Sequence, residues 1–401
     1  MTGRPVFGVP SRDPVRDPEG PTPRARLVAF YLPQFYPIPE NDRWWGPGYT
    51  EWTAVARSTP LFRGHRQPRV PGDLGFYDLR LPEARVAQAD LARRHGIEGF
   101  CYWHYWFGGR RLLERPFAEV LASGEPDLPF CLGWANQAWT ATWLGSGTVL
   151  QDQPYSAEDD VAHARWLVDA FADPRYLRAD GRPVFLVYRP MDLPDPRRTT
   201  DTWRTEATRA GLPEPLLVGI DAFDIGRDFR TDGFDGSLSF APNLGLLPHM
   251  HQTPGLARPW RKAARTVRNL RLGVWDATLK VHDYRYALDQ LRRRRADFTH
   301  PYIPSVFVGW DNTPRRGEAG LIMVNDGTRH FESALAELVD AAAAKPFDER
   351  LIFVNAWNEW AEGNYLEPDL ANGLEKLEAV RRVVHAEPGP SGPASPVPRA
   401  R

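Results

Sequence analysis

Two glutamates three residues apart, Glu359 and Glu362, follow the short apolar run Leu351-Ile-Phe-Val-Asn-Ala356, with Asn355, Asn358, Trp357 and Trp360 around them. The run has the length and composition of a buried strand. Carboxyls at the mouth of such a strand suit acid/base chemistry: one can hold a proton and give it up while the other stays ionised and takes one. A helix N-terminus would also collect acidic residues, through its dipole. That reading explains neither the asparagines nor the tryptophans.

The rest of the chain supplies the elements that must position such a pair. Apolar runs at Arg26–Leu32, Ile97–Trp103, Pro129–Trp134, Pro183–Tyr188, Leu216–Ile220, Gly236–Phe240, Tyr302–Val308 and Leu351–Ala356 read as eight strands. Helical patterns lie between them, at Leu81–His95, Leu112–Ala122, Asp159–Phe171, Thr202–Ala210, Asp283–Arg295 and Phe331–Ala344, with a last one at Leu374–Val384. Strands alternating with helices predict parallel βα units. Eight of them predict an α/β fold closed as a (β/α)8 TIM barrel, one domain over 25–385 with an extended insertion after the sixth strand. Residues 1–24 and 386–401 are rich in Pro, Gly and Ser and read as disordered tails.

Composition narrows the function. A formal net charge of −1 over 401 residues argues against nucleic acid as partner. Cys101 and Cys131 each sit inside an apolar run and read as buried thiols on neighbouring strands, not a disulfide framework. No cluster has the His/Cys/Asp spacing of a metal site, so neither metal nor cofactor is expected. The first 23 residues lack the apolar core of a secretion signal and no stretch approaches a membrane span, which makes a cytoplasmic protein the expectation.

In a barrel of this kind the working residues sit where the strands end. The strand ends offer Tyr31 and Gln34; Trp103, His104 and Tyr105; Trp134, Asn136 and Trp139; Tyr188 and Arg189; and Asp221. The last two strands add Trp310, Asp311, Asn312, Trp357, Asn358, Glu359 and Glu362, and the aromatic loop Trp44–Trp52 adds Trp45 and Glu51. Sugars present hydroxyl edges and apolar C–H faces, so a site for them mixes carboxylates and amides with flat aromatic walls. The repeated pairing of Trp with a polar neighbour points to an oligosaccharide or polysaccharide substrate.

Several long motifs carry a resemblance. Phe30-Tyr-Leu-Pro-Gln-Phe-Tyr-Pro-Ile-Pro-Glu-Asn-Asp-Arg-Trp-Trp-Gly46, Tyr49-Thr-Glu-Trp52, Gly75-Phe-Tyr-Asp78 and Cys101-Tyr-Trp-His-Tyr-Trp-Phe107 come first in the chain. Gly309-Trp-Asp-Asn-Thr-Pro-Arg-Arg316 and Asn355-Ala-Trp-Asn-Glu-Trp-Ala-Glu-Gly363 follow. Together, in order from about Arg26 to Val384, they resemble the WbsX-type, glycoside hydrolase family 99-like proteins. The resemblance implies a (β/α)8 barrel and chemistry like that of retaining endo-α-mannosidases, which proceeds through a 1,2-anhydro sugar. It further implies that Glu359 acts as base on the 2-hydroxyl and Glu362 as acid on the leaving oxygen. The neighbours of each predict the same order: Glu362 raised by desolvation, Glu359 kept ionised by nearby amides. One segment departs from the family. Trp134-Ala-Asn-Gln-Ala-Trp-Thr-Ala-Thr-Trp-Leu144 lacks the carboxylate, arginines and aspartate that relatives carry there.

Two other functions compete. Many WbsX-type proteins are described as polysaccharide-biosynthesis glycosyltransferases, but this chain has no Asp-x-Asp to hold a metal against a diphosphate. A metal-independent transferase passes that test. A non-catalytic glycan-binding barrel would be marked by loss of the carboxyl pair, which is present. Glu367 is a further carboxylate close to the pair. The four arginines Arg292–Arg295 read as a solvated helix end. The basic segment 258–271 reads as an amphipathic helix packed on the barrel, or as a contact with an anionic glycan or a membrane surface.

Overall fold

The computed structural model describes residues 22–141, 147–223, 227–247, 258–276, 278–296 and 298–386. Eight parallel strands close on themselves: β1 (Arg26–Tyr31), β2 (Ile97–Phe107), β3 (Phe130–Trp134), β4 (Arg182–Val187), β5 (Leu216–Asp221), β6 (Gly236–Ser239), β7 (Tyr302–Phe307) and β8 (Leu351–Asn355). Each pairs with its sequence neighbours, and β1 closes the ring by pairing with both β2 and β8, Leu27 lying opposite Ile97 and Ile352. Closure removes every sheet edge. The architecture is the (β/α)8 barrel expected. Cys101 and Cys131 lie opposite each other on β2 and β3, buried and unlinked.

The helices begin where the sequence provides stops and caps. Helix α3 (Pro82–Arg94) opens on Pro82, whose missing N–H costs nothing in the first turn. Ser156 caps α5 (Ala157–Phe171) by accepting the Asp159 N–H, and Asp195 caps α6 (Pro196–Arg209) through the Arg198 N–H. The aromatic loop after β1 contains two short helices that its glycines and prolines conceal, α1 (Pro39–Trp45) and α2 (Glu51–Arg57). Thr50 and Thr53 form a reciprocal cap at the start of α2. The packed shell continues with α4 (Arg115–Ser123), α10 (Thr328–Ala342) and α11 (Glu375–His385).

The insertion after β6 holds α7 (Arg258–Arg271), a short strand (Lys280–Asp283) and α8 (Tyr284–Ala296). That strand pairs in parallel with Leu321–Val324, a strand the sequence pattern did not reveal, over a small core of Val274, Leu279, Val281 and Ile322. Among the described side chains of α7, Asn269 is buried, donating to the carbonyls of Asp276 and Leu279, while Val267 and Leu270 stand exposed. Of the four arginines ending α8, Arg292 pairs with Asp289 and Glu337, but Arg294 turns inward to Asp221 at 3.6 Å. No helix among the described residues is long and apolar enough to cross a membrane.

Most of the two expected tails lies outside the described residues. Arg24, placed in the first tail, is tied into the barrel: its N–H donates to the Val384 carbonyl at 2.9 Å and its guanidinium pairs with Asp340 at 2.6 Å.

Candidate active site

At the C-terminal end of the barrel a cleft of about 550 Å³ opens between the strand ends and the loops above them. Its floor is charged. After β8 the chain forms a brief bridge, Asn358–Glu359, and a single tight turn, Trp360–Glu362, closed by Gly363 at φ +61°. That turn brings both glutamates to one guanidinium. Arg315, on the four-residue helix α9 (Thr313–Arg316), donates from Nη1 to Glu362 at 2.7 Å and from Nη2 to Glu359 at 2.9 Å. The same Nη2 donates to Glu51 on α2 at 2.5 Å. Glu51 is fully buried and also accepts the Ala361 N–H at 3.1 Å and the Gln34 amide at 3.2 Å.

Burial pushes Glu359 up to about 8; Arg315 opposes the rise, while Glu362 and Glu51 add to it. Glu362 is also raised by burial, and Arg315 again opposes. Burial alone would lower Arg315, but three carboxylates more than offset it and hold the guanidinium charged. The neighbours in sequence predicted a raised Glu362, which burial produces, but an ionised Glu359, which burial raises as well. The reason for the difference is spatial. The amide of Asn358 turns away to accept the Leu32 N–H and donate to the Leu32 carbonyl, so it gives Glu359 nothing.

The walls are aromatic and polar. Of the residues picked from the sequence, Gln34, Trp45, Trp103, Tyr105, Trp139, Tyr188, Trp310 and Asn312 line the cleft with Glu359 and Glu362. Tyr105 and Tyr188 face the carboxyls and are held neutral, chiefly by burial. Trp139 packs edge-on against Tyr105 and Trp44, forming one wall. Trp103 stacks on Phe30 at 4.8 Å inside the barrel.

The other picks lie elsewhere. Side chains alternate across a strand, so His104, next to Trp103, points outward. It stacks on Trp166 and meets His163 of α5 at 3.0 Å, and burial lowers it to about 3. Tyr31 faces α3 and donates to Gln88, and Trp134 packs outward on His163 and Trp203. Asn136 fastens the loop after β4 by accepting the Arg189 N–H and donating to its carbonyl. Asp221 takes Arg294, and Asp311 is used by His65, Gln67 and Thr313. Trp357 is fully buried against Phe100. Glu51 reaches the site only through Arg315, since it has no surface in the cleft. Arg189 stacks on Phe223 and pairs with Asp192, outside the cleft lining.

Glu367 lies beneath the turn, accepting from Tyr77, Gln88 and Trp360, and burial raises it to about 7. It supports Trp360, the residue after Glu359. The residue that sequence reasoning missed is Arg315. A signal was there: three carboxylates converging on one site require a buried cation, and the motif ending Thr-Pro-Arg-Arg316 supplies it.

A (β/α)8 barrel with a carboxylate pair and aromatic walls at its C-terminal face is the class of protein these features define. A family model described as glycosyltransferase WbsX matches residues 27–380, and the chain belongs to that family. Two curated relatives from Xanthomonas campestris pv. campestris (strains B100 and ATCC 33913), each described as uncharacterized protein WxcX, are 43% identical over 367 residues, 91% of this chain. The chain spans about half the length of these relatives. Among solved structures it is similar to a GH99 endo-alpha-mannosidase from Bacteroides thetaiotaomicron, with TM-score 0.55 and 14% identity over 90% of this chain and 96% of that one. A glycoside hydrolase-like protein superposes with TM-score 0.54 at 14% identity, covering 96% of this chain and 98% of that one. At such identity the likeness establishes the shared barrel.

Proposed function

We propose that this chain cleaves a glycosidic bond of an oligosaccharide or polysaccharide, with Glu359 and Glu362 as its acid/base pair. The observation that carries the reading is the placement of both carboxyls on one guanidinium at the floor of an aromatic-walled cleft. Such a pair, buried and sharing Arg315, is suited to hold one proton at neutral pH, which is the starting state for acid-assisted departure of a sugar oxygen. The tryptophans offer faces to sugar C–H surfaces, and Gln34, Asn312 and Tyr188 offer hydrogen bonds to hydroxyls.

Within the pair we assign the resting proton to Glu359 and the ionised state to Glu362. Glu362 accepts from Arg315 Nη1 while Glu359 shares Nη2 with Glu51, and Glu362 is the more exposed of the two, at 20% against 9%. This assignment makes Glu359 the proton donor, the reverse of the order the resemblance implies. Likeness to endo-α-mannosidases makes α-mannosides the first substrates to try. The test is product analysis by mass spectrometry after incubation with a panel of α-linked oligosaccharides. No product from any, alongside unchanged binding in Glu359→Gln, would reduce the protein to a glycan-binding barrel.

The family's transferase description supports a second reading, in which a sugar hydroxyl replaces water as acceptor at the same carboxyls. Incubation with and without added acceptor separates the two, since a transferase yields a lengthened product.

A further inference from the structure

We propose that Glu51, which never reaches the cleft, is a positioning residue that keeps the proton on Glu359 by competing with it for one nitrogen of Arg315. The inference rests on the reading of Glu359 and Glu362 as the working pair, and its ground is the geometry of a single guanidinium. Arg315 has two terminal nitrogens for three carboxylates. Nη1 donates to Glu362, whereas Nη2 is divided between Glu359 and Glu51, with the shorter contact, 2.5 Å against 2.9 Å, to Glu51.

A carboxylate is kept ionised in a buried site by the donors it receives. Glu51 receives three: Arg315, the Ala361 N–H and the Gln34 amide. Glu359 receives Arg315 Nη2, which it shares with Glu51. Charge acts in the same direction, because Glu51 is a further negative group facing Glu359. The groups that face Glu359 are Arg315 from α9, Glu51 from α2, Glu362 from its own turn, Tyr105 from β2 and Tyr188 after β4. Both tyrosines are neutral, so Glu51 is the group outside the working pair whose removal frees a donor and removes a charge together. Its backbone also fixes its place: the Glu51 N–H donates to the Gln34 carbonyl at 2.9 Å, which ties the start of α2 to the cleft wall.

The experiment follows the carboxyls directly. The full chain is labelled with 13C at the glutamate side-chain carboxyl and titrated by NMR, with Glu359→Gln and Glu362→Gln identifying the two signals. In the unaltered protein Glu359 is expected to titrate near 8, where burial pushes it. In Glu51→Gln it is expected to fall by about one to two pH units, as donor and charge are both redistributed. Glu51→Asp keeps the charge but withdraws it from Arg315, and a smaller fall is expected; this variant serves if Glu51→Gln does not fold. A Glu359 titration unmoved in a folded variant, or a fall confined to Glu362, overturns the proposal. Because no substrate enters the measurement, its failure is distinct from failure of the glycosidase reading, which product analysis alone decides.

Discussion

If Glu359 donates the proton, its loss should be felt according to how badly the leaving group needs one. With Glu359 pushed up to about 8, roughly ten molecules are protonated there for each ionised one at pH 7. Glu359→Gln removes that donor while keeping size and most polarity. Against a natural glycoside, whose leaving alkoxide must be protonated, kcat/KM should drop roughly 10²–10⁴-fold, the usual worth of general acid–base assistance. Against a nitrophenyl glycoside, which departs without a proton, the drop should stay within about tenfold. Glu362→Gln should depress both substrates alike, because the ionised partner is required whatever leaves. The pH dependence carries the same information. An acid is active below its pKa, so activity of the unaltered protein on the natural glycoside should be lost as pH rises through about 8, and on the aryl substrate Glu359→Gln should lack that limb. Kinetics of both variants on both substrates decide it. If Glu362→Gln spares the aryl glycoside and Glu359→Gln cripples both, the roles are those implied by the family resemblance and the argument from shared donors is refuted.

Three further outcomes need no substrate or only a coarse assay. Glu359 is raised in the folded protein, so between its ordinary value and about 8 the folded state holds more protons than the unfolded one. Stability should therefore fall as pH rises across that interval, by about 1.4 kcal/mol per pH unit from this group; denaturant melts of Glu359→Gln should show a flatter pH dependence. Arg315→Met strands three buried carboxylates and should cost about 3–5 kcal/mol at pH 7, with part of the loss recovered at pH 5, where melting would show it. His104 packs outside the barrel wall against His163 and Trp166. His104→Phe should thus lower stability by about 1–3 kcal/mol yet leave KM for any turned-over glycan within about twofold; a large rise in KM would return His104 to the cleft.

The barrel was legible because its signal is repeated. Eight apolar runs alternating with helical ones leave few closed arrangements, and every run marks a strand end that is observed within a residue or two, except that β2 runs on to Phe107. The cleft was legible only by half, for a reason visible in adjacent picks. Trp103 and His104 were both candidates, yet neighbours on a strand face opposite ways. Period alone gives the alternation and not its phase, so one of the two had to lie outside, and His104 meets α5; Asp311, in the loop beyond β7, is spent on His65 and Gln67. Asn136 and Asn358 misled differently. Buried amides are needed to satisfy backbone groups where loops leave a barrel, and both are spent on that task. Arg315 was hidden by the habit of reading arginines as surface residues, although three converging carboxylates demanded one.

The segment after β3 completes the electrostatic picture of the cleft. Its described part places Gln137, Ala138, Trp139 and Thr140 on the lining, while Trp143 and Leu144 lie outside the described residues. None of the four lining residues carries a charge. The charged groups of the lining, Arg315, Arg316, Glu359 and Glu362, come from α9 and from the turn after β8. One wall thus sets the proton and the other offers aromatic and amide surface. On the proposed reading a substrate sugar bound between them would meet charge on the side of its breaking bond and neutral faces on the other, so substitutions at Gln137 or Trp139 should move KM more than kcat. Restoring a carboxylate with Gln137→Glu would add a negative group facing the pair and should raise the titration of Glu359 further, extending activity to higher pH. A basic limb unmoved by that substitution would mean that the segment lies too far from the pair to act on it through charge.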